Sequence, residues 1–216
     1  MWQVLEDELD NFTVISVALD TNRDAAIAIV QKHAPTFTVL IDEQHIVAEL
    51  YGMVNVPSAI WIDEDGQVAR PTHIAGMGED WRTKTDRSAP VAWDTLSPEG
   101  VEGMRRTRTA YTDAVRRWVQ EGKHERREPR PEPDDAGEAH AHFRLGLFLH
   151  EHGLDGAHEH FAEAVRLRPA SWNFRRQALA LEQPDDKMDQ FWRAVDALPP
   201  GDYYPLPDDL NIPRGG

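Results

Sequence analysis

The stretch "YGMVNVPSAIWIDEDGQVARP", residues 51–71, decides how the rest of the chain is read. A helical segment ends near Gly52 and the chain passes through Val56-Pro57 into the apolar run "SAIWID" (58–63). The residues "ED" and Gly66 then turn it back as "QVARP". Such a run, bounded by an Asp-Gly turn, predicts an antiparallel hairpin. Proline has no N–H to donate, so Pro57 stands where a sheet tolerates it, at the first residue of a strand.

Working towards the N-terminus, "EQHIVAELYGM" (43–53) predicts a helix and "TFTVLID" (36–42) a strand. "RDAAIAIVQKHA" predicts a second helix, capped by Thr21 or Asn22 and stopped before Pro35. "FTVISVALD" (12–20) is β-branched and apolar and predicts a buried strand. Trp2, Leu5 and Leu9 are spaced three and four apart, one face of a first helix over 2–10. Strands that alternate with helices pair in parallel, so the hairpin adds one antiparallel edge to a mixed sheet.

Towards the C-terminus, residues 76–96 are irregular. Ser97 and Pro98 then open a helix. Its apolar positions Val101, Met104, Tyr111, Val115 and Trp118 are interrupted by Arg108, and Gly122 ends it. Residues 123–136 form a charged, proline-punctuated linker. Helices are expected at 137–152 and 155–168, joined by "HGLD", with a third near 172–182. Residues 184–216 read as a short helix and an extended Pro-rich tail, whose Tyr203, Tyr204 and Leu206 are expected to pack against a neighbour.

The organisation expected is therefore an α/β domain over 1–122 and a small all-α domain over 137–183. Forty per cent apolar and 28% charged residues suit a globular protein, and a net charge of −15 disfavours nucleic acid and anionic membrane as partners. No apolar run approaches the ~18 residues that span a bilayer, and no signal-peptide pattern opens the chain, so a cytoplasmic location is expected. The chain has no cysteine, which excludes disulfides, thiolate nucleophiles and zinc-cysteine sites.

The segments "VISVALD", "FTVLID", "VAELYGMVNVPS" and "IWIDEDGQV", in this order and spacing, resemble the TlpA/ResA-type branch of the thioredoxin-like redoxins. The resemblance implies a cis peptide bond at Val56-Pro57, whose backbone would hold an extended protein or peptide segment. Members of that family carry a strand, a Trp-Cys-x-x-Cys turn and a helix ahead of the part matched by "FTVISVALD". Here only the end of that helix is matched, by "WQVLEDELDN", and a central strand is missing. A shortened chain, a strand donated by another chain, or closure of the two half-sheets on each other would each resolve the gap. The unpaired edges also predict self-association, with a dimer or larger species as the expected form. Residues 140–169 resemble a single tetratricopeptide repeat, with Leu145-Gly146 in the first helix and Ala157, Phe161, Ala164 and Pro169 in the second.

The sequence thus predicts a redoxin-type peptide-binding or scaffold module that, as it stands, has no catalytic residues, no cofactor and no metal site. The alternative is a part of a thiol-disulfide oxidoreductase or peroxide reductase whose catalytic segment lies upstream of Met1. The candidate binding residues are Val56 and Pro57. Six of the ten histidines form three His-x-His pairs, His140/His142, His150/His152 and His158/His160. Residues two apart on a helix diverge, so only an approach of His150 or His152 to His158 across the turn could build a metal site, and solvated surface histidines are the favoured reading. Their clustering predicts that this hairpin gains positive charge between about pH 7 and 6. Asp63, Glu64 and Asp65 are read as turn-forming residues, and the tryptophans as core anchors.

Overall fold

In the computed structural model, which describes residues 1–84, 86–87, 95–122 and 133–212, the strands form two small sheets rather than one. Helix α1 (Trp2–Glu8) leads to β1 (Ile15–Ala18), α2 (Arg23–His33), β2 (Thr38–Ile41) and α3 (Ile46–Leu50). β1 and β2 pair in parallel, with Ile15 opposite Thr38 and Ala18 opposite Ile41. β3 (Ser58–Ile62) and β4 (Val68–Ile74) form the antiparallel hairpin. The architecture is mixed α/β.

Local chemistry accounts for these elements. Asn22 caps α2 by accepting from the Ala25 N–H, and the Asp42 carboxylate accepts from both Ile46 and Val47 at the start of α3. That cap shortens the helix expected over 43–53, because His45 takes φ +58° and the helical turns begin only after it. β4 runs to Ile74, past the expected end at Pro71. Two residues there face one on β3, so Pro71 lies at a bulge, where its missing N–H breaks no ladder bond. The Asp63 carboxylate accepts from the backbone of Asp65 and Gln67, the turn-forming role expected of it.

Among the described residues no strand bridges the two sheets, and they do not close on each other. Helix α1 braces them instead. Gln3 exchanges hydrogen bonds with the Thr36 hydroxyl and N–H, and Glu6 accepts from the Val14 N–H, tying α1 to the β1–β2 side. Leu5 and Leu9 pack with Trp61, Ala69 and Tyr111 on the hairpin side. The β1–β2 unit is poorly covered: Ile15 is 63% exposed and Leu40 49%.

Helix α4 (Pro98–Glu121) is capped by the Ser97 hydroxyl and closed by Gly122 at φ +61°. The expected linker lies mostly outside the described residues, as does Trp93. Helices α5 (Ala136–Glu151) and α6 (Ala157–Leu167) pack as a hairpin, and α7 (Trp172–Glu182) closes it through Phe174, which stacks on Phe143 at 4.4 Å. Gly146 allows this approach: a Cβ there would lie 2.8 Å from the Phe161 ring. Helix α8 (Lys187–Asp196) and the tail then return to the α/β part. Trp81, Trp172, Trp192, Tyr203 and Tyr204 form one aromatic cluster, so the tail packs as expected. Leu210 and Ile212 join the core of Leu5, Trp61 and Tyr111. No helix among the described residues is long and apolar enough to cross a membrane.

The tail is also held by charge. Arg70 has a side chain only 4% exposed; it binds Asp209 through both terminal nitrogens, at 2.6 and 2.7 Å, and lies over the Trp61 ring. Removing the carboxylate would leave a buried guanidinium without it, a costly arrangement. Asp209→Ala is expected to lose on the order of 3 kcal/mol of stability in urea unfolding, with the midpoint falling and the slope unchanged.

Candidate functional site: the loop and cleft at Val56-Pro57

The Val56-Pro57 peptide bond is cis. The loop leading to it is held by side chains within the loop and from distant parts of the chain. Asn55 is buried; its Oδ1 accepts from the Val56 N–H at 2.9 Å, and its Nδ2 donates to the Tyr203 carbonyl at 2.8 Å. The Ser58 hydroxyl donates to the Asn55 carbonyl. Asn173, at the start of α7, gives its N–H to the Val54 carbonyl and its side-chain amide to the Met53 carbonyl. The Tyr204 hydroxyl donates to the Val56 carbonyl at 2.7 Å. Burial raises the Tyr204 pKa well above the phenol's ordinary value, with Tyr203 adding to the effect, so this donor keeps its proton.

The two candidate binding residues therefore stand in different situations. Both backbone polar groups of Val56 are engaged inside the molecule. Pro57 faces a shallow cleft of about 330 Å³, which it lines with Met1, Trp2, Gly76, Met77 and Arg108. Its side chains are apolar except that of Arg108, whose pKa is lowered by partial burial and which nevertheless remains a cation. Arg108, read in the sequence as an interruption of the apolar rhythm of α4, is thus a cleft-lining residue that reasoning from periodicity missed. The interruption itself was the signal that could have found it.

Beneath the cleft lies a satisfied polar network. Trp2 meets Tyr111 edge-on at 5.9 Å, and Gly76, at φ +63°, lies so close that a Cβ would be 3.1 Å from Tyr111. His73 Nδ1 is 2.8 Å from the Pro71 carbonyl, an acceptor only, so Nδ1 carries the proton. Nε2 is then the acceptor for the Tyr111 hydroxyl at 2.9 Å, and the Tyr111 oxygen accepts from the Trp61 indole N–H at 3.2 Å. Burial is the main cause that brings the His73 pKa down to about 4 and raises that of Tyr111. Both groups are neutral in use, which suits them to anchoring α4 on the hairpin.

The histidine-rich helices are arranged differently from the sequence expectation. His150 and His152 do not meet His158. The His152 ring folds back on its own helix, stacked on Phe148 and bonded to its carbonyl, while His158 pairs with Glu182 on α7. The histidines that do meet are His142 and His160, with Nδ1 atoms 2.8 Å apart. His140 is buried and accepts from Arg168. Among the described residues no three His, Asp or Glu side chains are grouped to hold a metal ion. No family model, no curated protein and no solved structure matches the chain.

Two outcomes follow from the Tyr111 network. Tyr111→Phe leaves the Trp61 donor and the His73 acceptor without their partner, and is expected to lose about 2 kcal/mol in urea unfolding. A neutral, partly buried His73 also makes folding acid-sensitive. The unfolded chain takes up its proton near the ordinary value of 6.5, whereas the folded chain does so only near 4. His73 therefore contributes its full stability above pH 6.5, and this declines between 6.5 and 4 by up to about 1.4 kcal/mol per pH unit. Unfolding measured across that window should show a steeper decline in the wild type than in His73→Gln.

Proposed function

We propose that this chain is a thioredoxin-like protein of redoxin type that acts as a peptide-binding or scaffold module without thiol chemistry. The observation that carries the reading is the meeting of Pro57 with Trp2, Met77 and Arg108 around one cleft. Apolar side chains beside the Arg108 guanidinium suit an extended protein segment that presents an apolar side chain and an acidic group. Because the Val56 backbone groups are occupied, such a segment is held from the Pro57 side, or it displaces the Tyr204 hydroxyl. In this reading the helices α5 to α7, which resemble a tetratricopeptide unit, hold the loop in place through Asn173. A cytoplasmic location belongs to the same proposal.

Binding to a peptide array tests it. Peptides carrying an acidic residue beside an apolar one are expected to bind, with or without reductant. Trp2→Ala and Arg108→Gln are expected to weaken them by at least about tenfold, close to 1.4 kcal/mol, with the fold intact by circular dichroism. No selective binding, or binding indifferent to both substitutions, would sink this assignment.

The split sheet favours a second reading, in which the natural protein is a thiol-disulfide oxidoreductase or peroxide reductase with its cysteine-bearing segment ahead of Met1. An in-frame Trp-Cys-x-x-Cys in the codons upstream would decide for it. The strand edges without partners among the described residues, beside the exposed Ile15, equally support self-association. Ile15→Lys is expected to shift the chain towards the monomer in sedimentation velocity.

A further inference from the structure

One of the places where the α/β part touches the helical part is between α3 and α5, where His45 meets Phe143 and Glu49 meets Arg144. His45, the residue before α3, is only 2% exposed, and its ring packs 5.0 Å from Phe143 of α5. Neither of its ring nitrogens has a hydrogen-bond partner. Beside it, also 2% exposed, His140 of α5 lies edge-on to Phe174 and accepts at Nε2 from the Arg168 guanidinium, 2.5 Å away. A guanidinium only donates, so this bond requires the lone pair of a neutral imidazole.

We propose that the seat of α5 on α3 is a proton-operated joint, closed while His45 and His140 are neutral and opened when acid charges them. The charged groups around the joint compensate two new cations only in part, and burial outweighs them. Facing His140 are Arg168, from the turn after α6, and Arg144 on its own helix; Glu49 of α3 is already paired with Arg144. Facing His45 are Asp42 and Asp20, but Asp42 accepts two N–H groups at the start of α3 and Asp20 accepts from Asn22. Protonated His140 would set N–H against N–H at Arg168, and protonated His45 would carry two buried N–H donors without a hydrogen-bond acceptor. Burial accordingly lowers the pKa of both, that of His140 to about 4, with Arg168 contributing. Outside this seat, the helical part is tied to the rest by neutral bonds, from Gln177 to Thr21 and from Asn173 to the 53–54 backbone. The response is therefore an opening at α3 and α5 rather than release of the whole helical unit. This inference is independent of what occupies the cleft at Pro57.

Hydrogen exchange of the full chain, read by mass spectrometry and corrected for the intrinsic pH dependence of exchange, tests the joint. Between pH 7 and 5, protection over Ile46–Leu50 and Ala136–Glu151 is expected to fall at least tenfold, while that over α4 changes less. In the double variant His45→Asn/His140→Gln the fall should be absent, since Gln can still accept from Arg168 and neither side chain titrates. The double variant keeps His73, so a loss that persists in it belongs to His73 and not to the joint. If the double variant fails to fold at pH 7, His140→Gln alone should reduce the fall to a third or less. Protection that is equal at the two pH values, that falls uniformly over the whole chain, or that falls unchanged in the variants would overturn the proposal.

Discussion

Residues 53–57 lie between α3 and β3, outside any helix or strand, and the backbone carbonyls of this loop are met by partners far away in the chain. The carbonyls of Met53 and Val54 are taken by Asn173, that of Val56 by Tyr204, and that of Pro57 by the Ala75 N–H. Each is a polar group whose burial without a partner would cost on the order of 1–3 kcal/mol. The C-terminal third of the chain is thus a structural requirement of the loop. The aromatic cluster around Trp81, Trp172 and Tyr203 supplies the apolar contact that holds those donors at the right distance.

The same logic explains what is unusual in the N-terminal part. Two short sheets without a shared strand have few backbone bonds in common, so their cohesion passes through side chains. Helix α1 provides it by dividing its faces: Gln3 and Glu6 hold polar groups near β1 and β2, while Leu5 and Leu9 enter the core under the hairpin. The cleft at Pro57 is one result, because the start of that helix brings Met1 and Trp2 to its wall. The exposure of Ile15 and Leu40 is the other side of the arrangement, since nothing among the described residues covers that face of β1–β2.

Histidine chemistry divides along burial rather than along the sequence pattern. The His-x-His repeats suggest a single surface cluster, yet His140 is in the interior and His142 two residues later is only partly buried. His45, which belongs to no repeat, is the other buried imidazole, and the partly buried His73 likewise packs against an aromatic ring. An imidazole packed against a phenyl or phenol ring in a dry site is held neutral, because charging it there forfeits hydration that no neighbour replaces.

Local chemistry made much of this molecule legible in advance: Asn22, Ser97 and Gly122 at helix ends, Asp63 and Gly66 in the turn and the apolar stripe of α4 each act through neighbours a few residues away or through a period of 3.6. Candidate residue Pro57 was visible for the same reason, as a proline at the entry of a strand. What only tertiary structure decided is every partnership across long sequence separation. Whether Val56 keeps a free carbonyl depends on Tyr204, whether Arg108 lines a cleft depends on Trp2, and whether a histidine is charged depends on which rings surround it. Composition and periodicity specify which face of an element is apolar, but hydrogen-bond partners and solvent access are set by the packing of whole elements, and no local pattern encodes them.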